Sequence, residues 1–172
     1  MSGGVLGAEE RRLSVMVGAE PEEFRALEPL LHVMGTTVRR VGALGAGQVA
    51  KTCNQVVVAT TMAGLSEAFY LARASGVDPE ALHEILDGGL AASEILRQKG
   101  RNWLEESFEP GGRARFHLKD FTAARELSEL GGVRLPVTDA VARQYERLVE
   151  LGLGDLDHSG VYRALGASGD QR

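Results

Sequence analysis

The chain is poor in several things, and each shortage excludes a class of protein. It has one cysteine, Cys53, in 172 residues. A single thiol cannot close an internal disulfide, which suits a reducing, cytoplasmic compartment. It has no excess of basic residues: 19 lysines and arginines stand against 24 acids, a formal charge of -5. The cations are scattered rather than clustered. Phosphate binding needs a basic surface, so nucleic acid is not an expected partner. The four histidines, His32, His83, His117 and His158, lack metal-ligand spacing, and there is no hydrolase elbow. The opening MSGGVLGAEERR lacks the charged-then-apolar layout of a signal peptide. Repeats of fixed period and low-complexity tracts are also missing.

What is there is a globular composition, 44% hydrophobic and 25% charged. The length allows one domain with a core, or one domain plus part of another. The most informative stretch is residues 49–72, VAKTCNQVVVATTMAGLSEAFYLA. Apolar or small residues cover nearly its whole circumference, which predicts a buried helix. Thr60, Thr61, Ser66 and Glu67 make it a core helix rather than a membrane span. Cys53 is expected to be buried in it as a small apolar side chain. Lys51, Asn54 and Gln55 stand at i, i+3 and i+4 and so share a face of the first turns. Burial disfavours an ammonium ion, so the amine is expected to shift toward a pKa useful for proton transfer. The alternative is a lysine whose stem packs on apolar neighbours while its head reaches water. The residues alone leave both readings open.

The rest of the chain falls into two parts. Residues 12–17, RLSVMV, read as a short strand. Glu20-Pro21-Glu22-Glu23 starts a helix with proline and acids in its first turn. Phe24, Leu27, Leu30 and Leu31 give it an apolar stripe, Gly35 ends it, and residues 36–41 read as a second strand. Two strands make no stable sheet by themselves, so this part is expected to be the trailing edge of a larger α/β domain. From Gly45 onward only helices are expected: residues 79–86 after Asp78, 93–101, 117–130 and 138–151. Glycine pairs at 88–89 and 131–132 punctuate them, and Asp157-His158-Ser159 caps a short last helix. The tail from Ala167 is expected to be loose.

Three short motifs carry chemistry. Gly45-Ala46-Gly47-Gln48-Val49-Ala50 has the outline of a dinucleotide fingerprint. That motif requires a second strand ending in an acid some 20 residues on, and here the interval is apolar helix with Glu67 in its middle. The glycines are therefore read as a flexible joint. Ser2-Gly3-Gly4 puts a hydroxyl beside two unencumbered backbone N–H groups, a turn able to hold a carboxylate or simply a loose start. Lys119-Asp120, in FHLKDF, reads equally as a surface ion couple.

Taken in order, GAGQVAKTCNQVVVA, GGLAASEIL, FHLKDFTAA, LPVTDAV and DHSG resemble the β-hydroxyacid dehydrogenases, a 3-hydroxyisobutyrate dehydrogenase-like family. The resemblance implies a mainly α fold: an all-helical domain like the C-terminal domain of 6-phosphogluconate dehydrogenase, preceded by the β-α-β tail end of a truncated Rossmann domain. It implies a Rossmann remnant over residues 1–41, a helical domain over 42–166 with a long linker helix at about 46–75, and a tail at 167–172. Carried over by position, Lys51 becomes the catalytic acid and base. Ser2, Gly3 and Gly4 hold the substrate carboxylate, and Asn54 and Gln55 orient the substrate. Lys119, with its neighbour Asp120, reaches the cofactor. The Asn54-Gln55 pair favours the branch acting on tartronate semialdehyde over the hydroxyisobutyrate branch. The implied cofactor is NAD or NADP, bound weakly where the glycine-rich dinucleotide loop is lacking. The implied partners are a small hydroxyacid or its semialdehyde and a second copy of the chain, met through the helical domain. The alternative is a catalytically incompetent remnant that serves only in association.

Overall fold

A computed structural model describes residues 1–166, which divide between two compact units, the first Met1–Gln55 and the second beginning at Val56. In the first unit, a one-turn helix α1 (Gly4–Glu9) leads into strand β1 (Ser14–Gly18), helix α2 (Pro21–Leu31) and strand β2 (Thr37–Gly42). The strands are parallel, with Val15 opposite Val38 and both buried. Helix α2 opens as its sequence dictates. Pro21 occupies the first turn, and the Glu20 N–H donates to the Glu23 side chain in a reciprocal capping box. Its apolar stripe is only partly covered: Phe24 and Leu31 are half-buried, while Leu27 and Leu30 are 48% and 64% exposed. Helix α1 was not foreseen, since six residues are too few to show an apolar period. It follows a reversal at Gly3 and Gly4, where φ is 135° and 64°.

Helix α3 (Ala46–Ala74) begins in this unit. A Cβ on Gly47 would stand 2.7 Å from the Met16 carbonyl oxygen, and one on Gly18 would stand 2.6 Å from the Ala43 carbonyl oxygen. The glycines thus let the helix start lie against the backbone of β1. This corrects the expectation of a flexible joint at Gly47, which is a packed contact. Only Gly45, at φ 92° with open space around it, has the character of a turn. Burial all round α3 is also corrected. Cys53 is exposed, together with Val49 and Val57 at 43% and 62%. These residues are spaced i, i+4, i+8 and form one outward stripe.

In the second unit, α3 is followed by α4 (Pro79–Asp87), α5 (Glu94–Leu104), α6 (His117–Gly131), α7 (Pro136–Glu150) and α8 (Tyr162–Gly166). Three-residue and four-residue 3-10 turns precede α6 and α8. Ser93 and Asp78 accept from the second or third N–H of their helices, and Gly132 ends α6 in the left-handed region. Two adjacent faces of α3 anchor two clusters. Ala59 and Ala63 meet Phe121, Val141, Tyr145 and Leu148 on one side. Met62, Leu65 and Phe69 meet Leu96, Trp103 and Tyr162 on the other. The Phe69 and Trp103 rings stack at 5.6 Å. Full burial of side chains this size contributes about 1.5–3 kcal/mol each.

Candidate active site

The first turns of α3 bring together the three polar side chains that its spacing predicts. Gln55 Oε1 accepts from Lys51 Nζ at 2.7 Å and from Asn54 Nδ2 at 3.1 Å. All three are half-buried. The amide oxygen therefore fixes an ammonium and a second amide on one helical face, where neither packing nor capping requires them.

Ser2 is tied to the start of β1 by two backbone hydrogen bonds with Ser14, each 2.9 Å. This holds the Ser2-Gly3-Gly4 turn against the sheet. A Cβ on Gly3 would come within 2.9 Å of Leu13 Cδ2, and the positive φ at Gly3 and Gly4 disfavours other residues there. The Met1 amine next to this turn has a lowered pKa, first from burial and second from the charge of Lys51. The turn thus begins within electrostatic reach of the lysine. Ser2, Gly3, Gly4, Lys51, Asn54 and Gln55 all belong to the first unit.

Lys119 and Asp120 stand in the first turn of α6, in the other unit. Lys119 is exposed, and Asp120 Oδ2 lies 3.6 Å from His117 Nδ1. His117 leads to a polar centre that the sequence reading passed over. Asp157 is fully buried. Its Oδ2 accepts from Lys99 Nζ at 2.7 Å and from the Gly111 and Gly112 N–H groups at 3.1 and 3.2 Å. Its Oδ1 accepts from the Ser159 hydroxyl at 2.7 Å, the Ser159 N–H at 3.1 Å and Asn102 Nδ2 at 3.3 Å. Burial pushes this carboxyl up. The Lys99 hydrogen bond, the His158 charge and the Ser159 donors outweigh it and hold the pKa at about 2. His158 is lowered, first by burial and then by Lys99, with Asp157 opposing. Burial raises the Tyr145 phenol, whose hydroxyl donates to the His158 carbonyl at 2.9 Å. The DHSG tetrapeptide is visible in the sequence as a cap and as a family motif, but its contacts with Lys99, Asn102 and His117 are not.

Comparison with known proteins gives this geometry a family. Residues 45–165 match the family described as NAD-binding of NADP-dependent 3-hydroxyisobutyrate dehydrogenase. Residues 1–45 match the NAD binding domain of 6-phosphogluconate dehydrogenase. The chain belongs to the β-hydroxyacid dehydrogenase family. It is 34% identical over 165 residues to 2-hydroxy-3-oxopropionate reductase of Escherichia coli strain K12, covering 96% of this chain and 56% of that protein. Among solved structures, 3-hydroxyisobutyrate dehydrogenase of Mycobacterium tuberculosis, with L-serine, is similar at 29% identity and TM-score 0.84, covering 95% of this chain and 58% of that one. A Salmonella typhimurium 3-hydroxyisobutyrate dehydrogenase shares the fold at TM-score 0.87 and 21% identity, covering 94% of this chain and 57% of that one. The chain therefore spans little more than half the length of these β-hydroxyacid dehydrogenases. The family consists of NAD(P)-dependent oxidoreductases, and both family matches support NAD or NADP use. Among the described residues no helix is long and apolar enough to cross a membrane, and no cluster of three or more His, Cys, Asp or Glu side chains could hold a metal ion.

Proposed function

We propose that this chain carries the acid–base centre of an NAD(P)-dependent dehydrogenase that interconverts a small 3-hydroxy acid, such as glycerate, and its semialdehyde. The observation that supports it most is the convergence of Lys51 and Asn54 on Gln55 Oε1. In reduction Lys51 gives a proton to the carbonyl oxygen, and in oxidation it takes the hydroxyl proton. Ser2 and the N–H groups of Gly3 and Gly4 hold the carboxylate, while Asn54 and Gln55 orient the carbonyl beside the ammonium. Proton transfer by a positioned side chain of this kind is worth about 10²–10⁴ in rate.

The residues fit a dinucleotide in part. At Gly47 the space a phosphate would need is filled by the Met16 carbonyl and the Gly18 N–H, so the second glycine of that run offers no cradle. The exposed Lys119 ammonium beside Asp120 has the donor chemistry to meet the polar nicotinamide end. A bound nicotinamide would supply or accept the hydride. With so few groups for the pyrophosphate among the described residues, this chain by itself holds the cofactor weakly. The test is a panel of glycerate, 3-hydroxyisobutyrate and serine with NAD and NADP on the native protein. Oxidation of at least one 3-hydroxy acid is expected, and silence across the panel would refute the reading.

A second reading, association of copies through the helical unit, draws on the exposed apolar residues Leu130, Val133 and Val137, at 86%, 58% and 64%. It is compatible with the first.

A further inference from the structure

The second unit holds a line of four titratable side chains, three of them with no role assigned above. It runs from buried Asp157 through His158 and His117 to Asp120. His158 Nδ1 and His117 Nε2 are 3.1 Å apart, and His117 Nδ1 is 3.6 Å from Asp120 Oδ2. The two rings lie 23° from parallel with centroids 5.3 Å apart. The backbone of His158 is pinned on both sides, its N–H donating to the Gly112 carbonyl at 2.8 Å and its carbonyl accepting from Tyr145. His117 is 3% exposed, with its ring against Phe121 and Tyr145. The His117 ring cannot turn without breaking this packing, and the His158 backbone holds the start of its side chain in place.

An imidazole–imidazole hydrogen bond has a direction, because one nitrogen donates and the other accepts. The surroundings choose it. Both oxygens of Asp157 already take donors from Lys99, Gly111, Gly112, Asn102 and Ser159, and His158 Nε2 stands 3.9 Å away, beyond bonding distance. At the other end, a carboxylate faces His117 Nδ1 at ion-pair distance and favours an N–H there over a lone pair. A neutral His117 protonated at Nδ1 has a bare Nε2, which must accept from His158 Nδ1–H. Burial lowers the His158 pKa and so disfavours the doubly protonated ring, which agrees with this polarity.

We propose that His158 and His117 are positioning residues: a relay made of a one-way hydrogen bond beside the Asp157 centre that, through the electrostatic contact of His117 Nδ1 with Asp120, aims the Asp120 carboxylate and with it the first turn of α6 carrying Lys119. This rests on the proposed role of Lys119 and Asp120 at the cofactor. It adds two histidines and a proton polarity that the cofactor contact alone does not require. The relay forms no covalent bond and moves no net proton. Its output is the placement of one helical turn.

The experiment has three arms on the native protein. Long-range proton–nitrogen NMR of the wild-type imidazoles should show His117 protonated at Nδ1 at neutral pH, and an Nε2–H tautomer overturns the proposal. In His158→Asn the side-chain amide nitrogen takes the place of Nδ1 and still donates to His117, whereas His158→Leu cannot. His158→Leu should raise the NAD(P)H KM about tenfold, the worth of one net hydrogen bond, with kcat within about twofold, and His158→Asn should restore it. Equal behaviour of the two variants overturns the proposal. Should the leucine variant not fold, the wild-type tautomer still decides. Lys119→Met separates this inference from the reading beneath it. Unchanged cofactor affinity there refutes the cofactor role of Lys119, while the Lys119 and Asp120 amide signals in His158→Asn and His158→Leu go on reporting whether the relay places the turn.

Discussion

At the scale of residues, the buried Asp157 centre ties stability to pH, and its signs can be worked out. An ordinary carboxyl titrates near 3.8, while Asp157 is held at about 2. Its contribution is complete above the ordinary value and is lost as pH falls through the lower one. His158 is depressed from 6.5, so the unfolded chain takes up that proton first. Acidification from 6.5 therefore favours unfolding until the folded ring also titrates. Both effects run the same way. Denaturation measured at a series of pH values should show stability falling in an earlier step below 6.5 and a later one below 3.8. His158→Asn should remove the earlier step and keep the later, with Asp157, Lys99 and His117 still facing the site. An unchanged earlier step would assign it to another group. The contrast with Lys51 shows what a sequence displays. Lys51, Asn54 and Gln55 meet because a helix repeats every 3.6 residues, and that period is written in their spacing. Asp157 meets Lys99 across 58 positions and His158 meets His117 across 41, separations that no local period encodes.

At the scale of elements, α3 is a helix whose glycines have opposite roles. Gly47 has no room for a Cβ beside the Met16 carbonyl, whereas Gly64 sits mid-helix with nothing within 4 Å. Gly47→Ala should destabilise the first unit by about 1–3 kcal/mol through overpacking. Gly64→Ala should stabilise by about 0.5–1 kcal/mol through helix propensity. Urea denaturation reads both, and a stabilising Gly47→Ala would mean that the helix start does not lie on β1. The element boundaries were largely legible because their punctuation is local: the Glu20 and Ser93 starts, the Gly132 stop and the glycine pairs. Which face of α3 is covered was not legible. A run of small and apolar residues looks alike on every side, and burial of Met62 or exposure of Cys53 depends on which other elements pack there. The close contact at Gly47 was hidden for the same reason, since its partner is backbone and leaves no mark in the sequence.

At the scale of the whole molecule, belonging to the β-hydroxyacid dehydrogenases accounts for a helical unit joined to a β-α-β segment. Apolar surface is exposed on both units, at Leu30 and at Leu130. Exposed patches of this kind favour self-association. Light scattering should find more than one copy per particle, and a clean monomer would remove the association reading. The central claim is the acid–base role of Lys51. It is tested most directly by NAD(P)-dependent oxidation of glycerate by the native protein, wild type against Lys51→Ala, with a cofactor titration on each. The account predicts a fall in kcat of about 10²–10⁴ with cofactor affinity unchanged, whereas a variant that keeps the wild-type rate would contradict it.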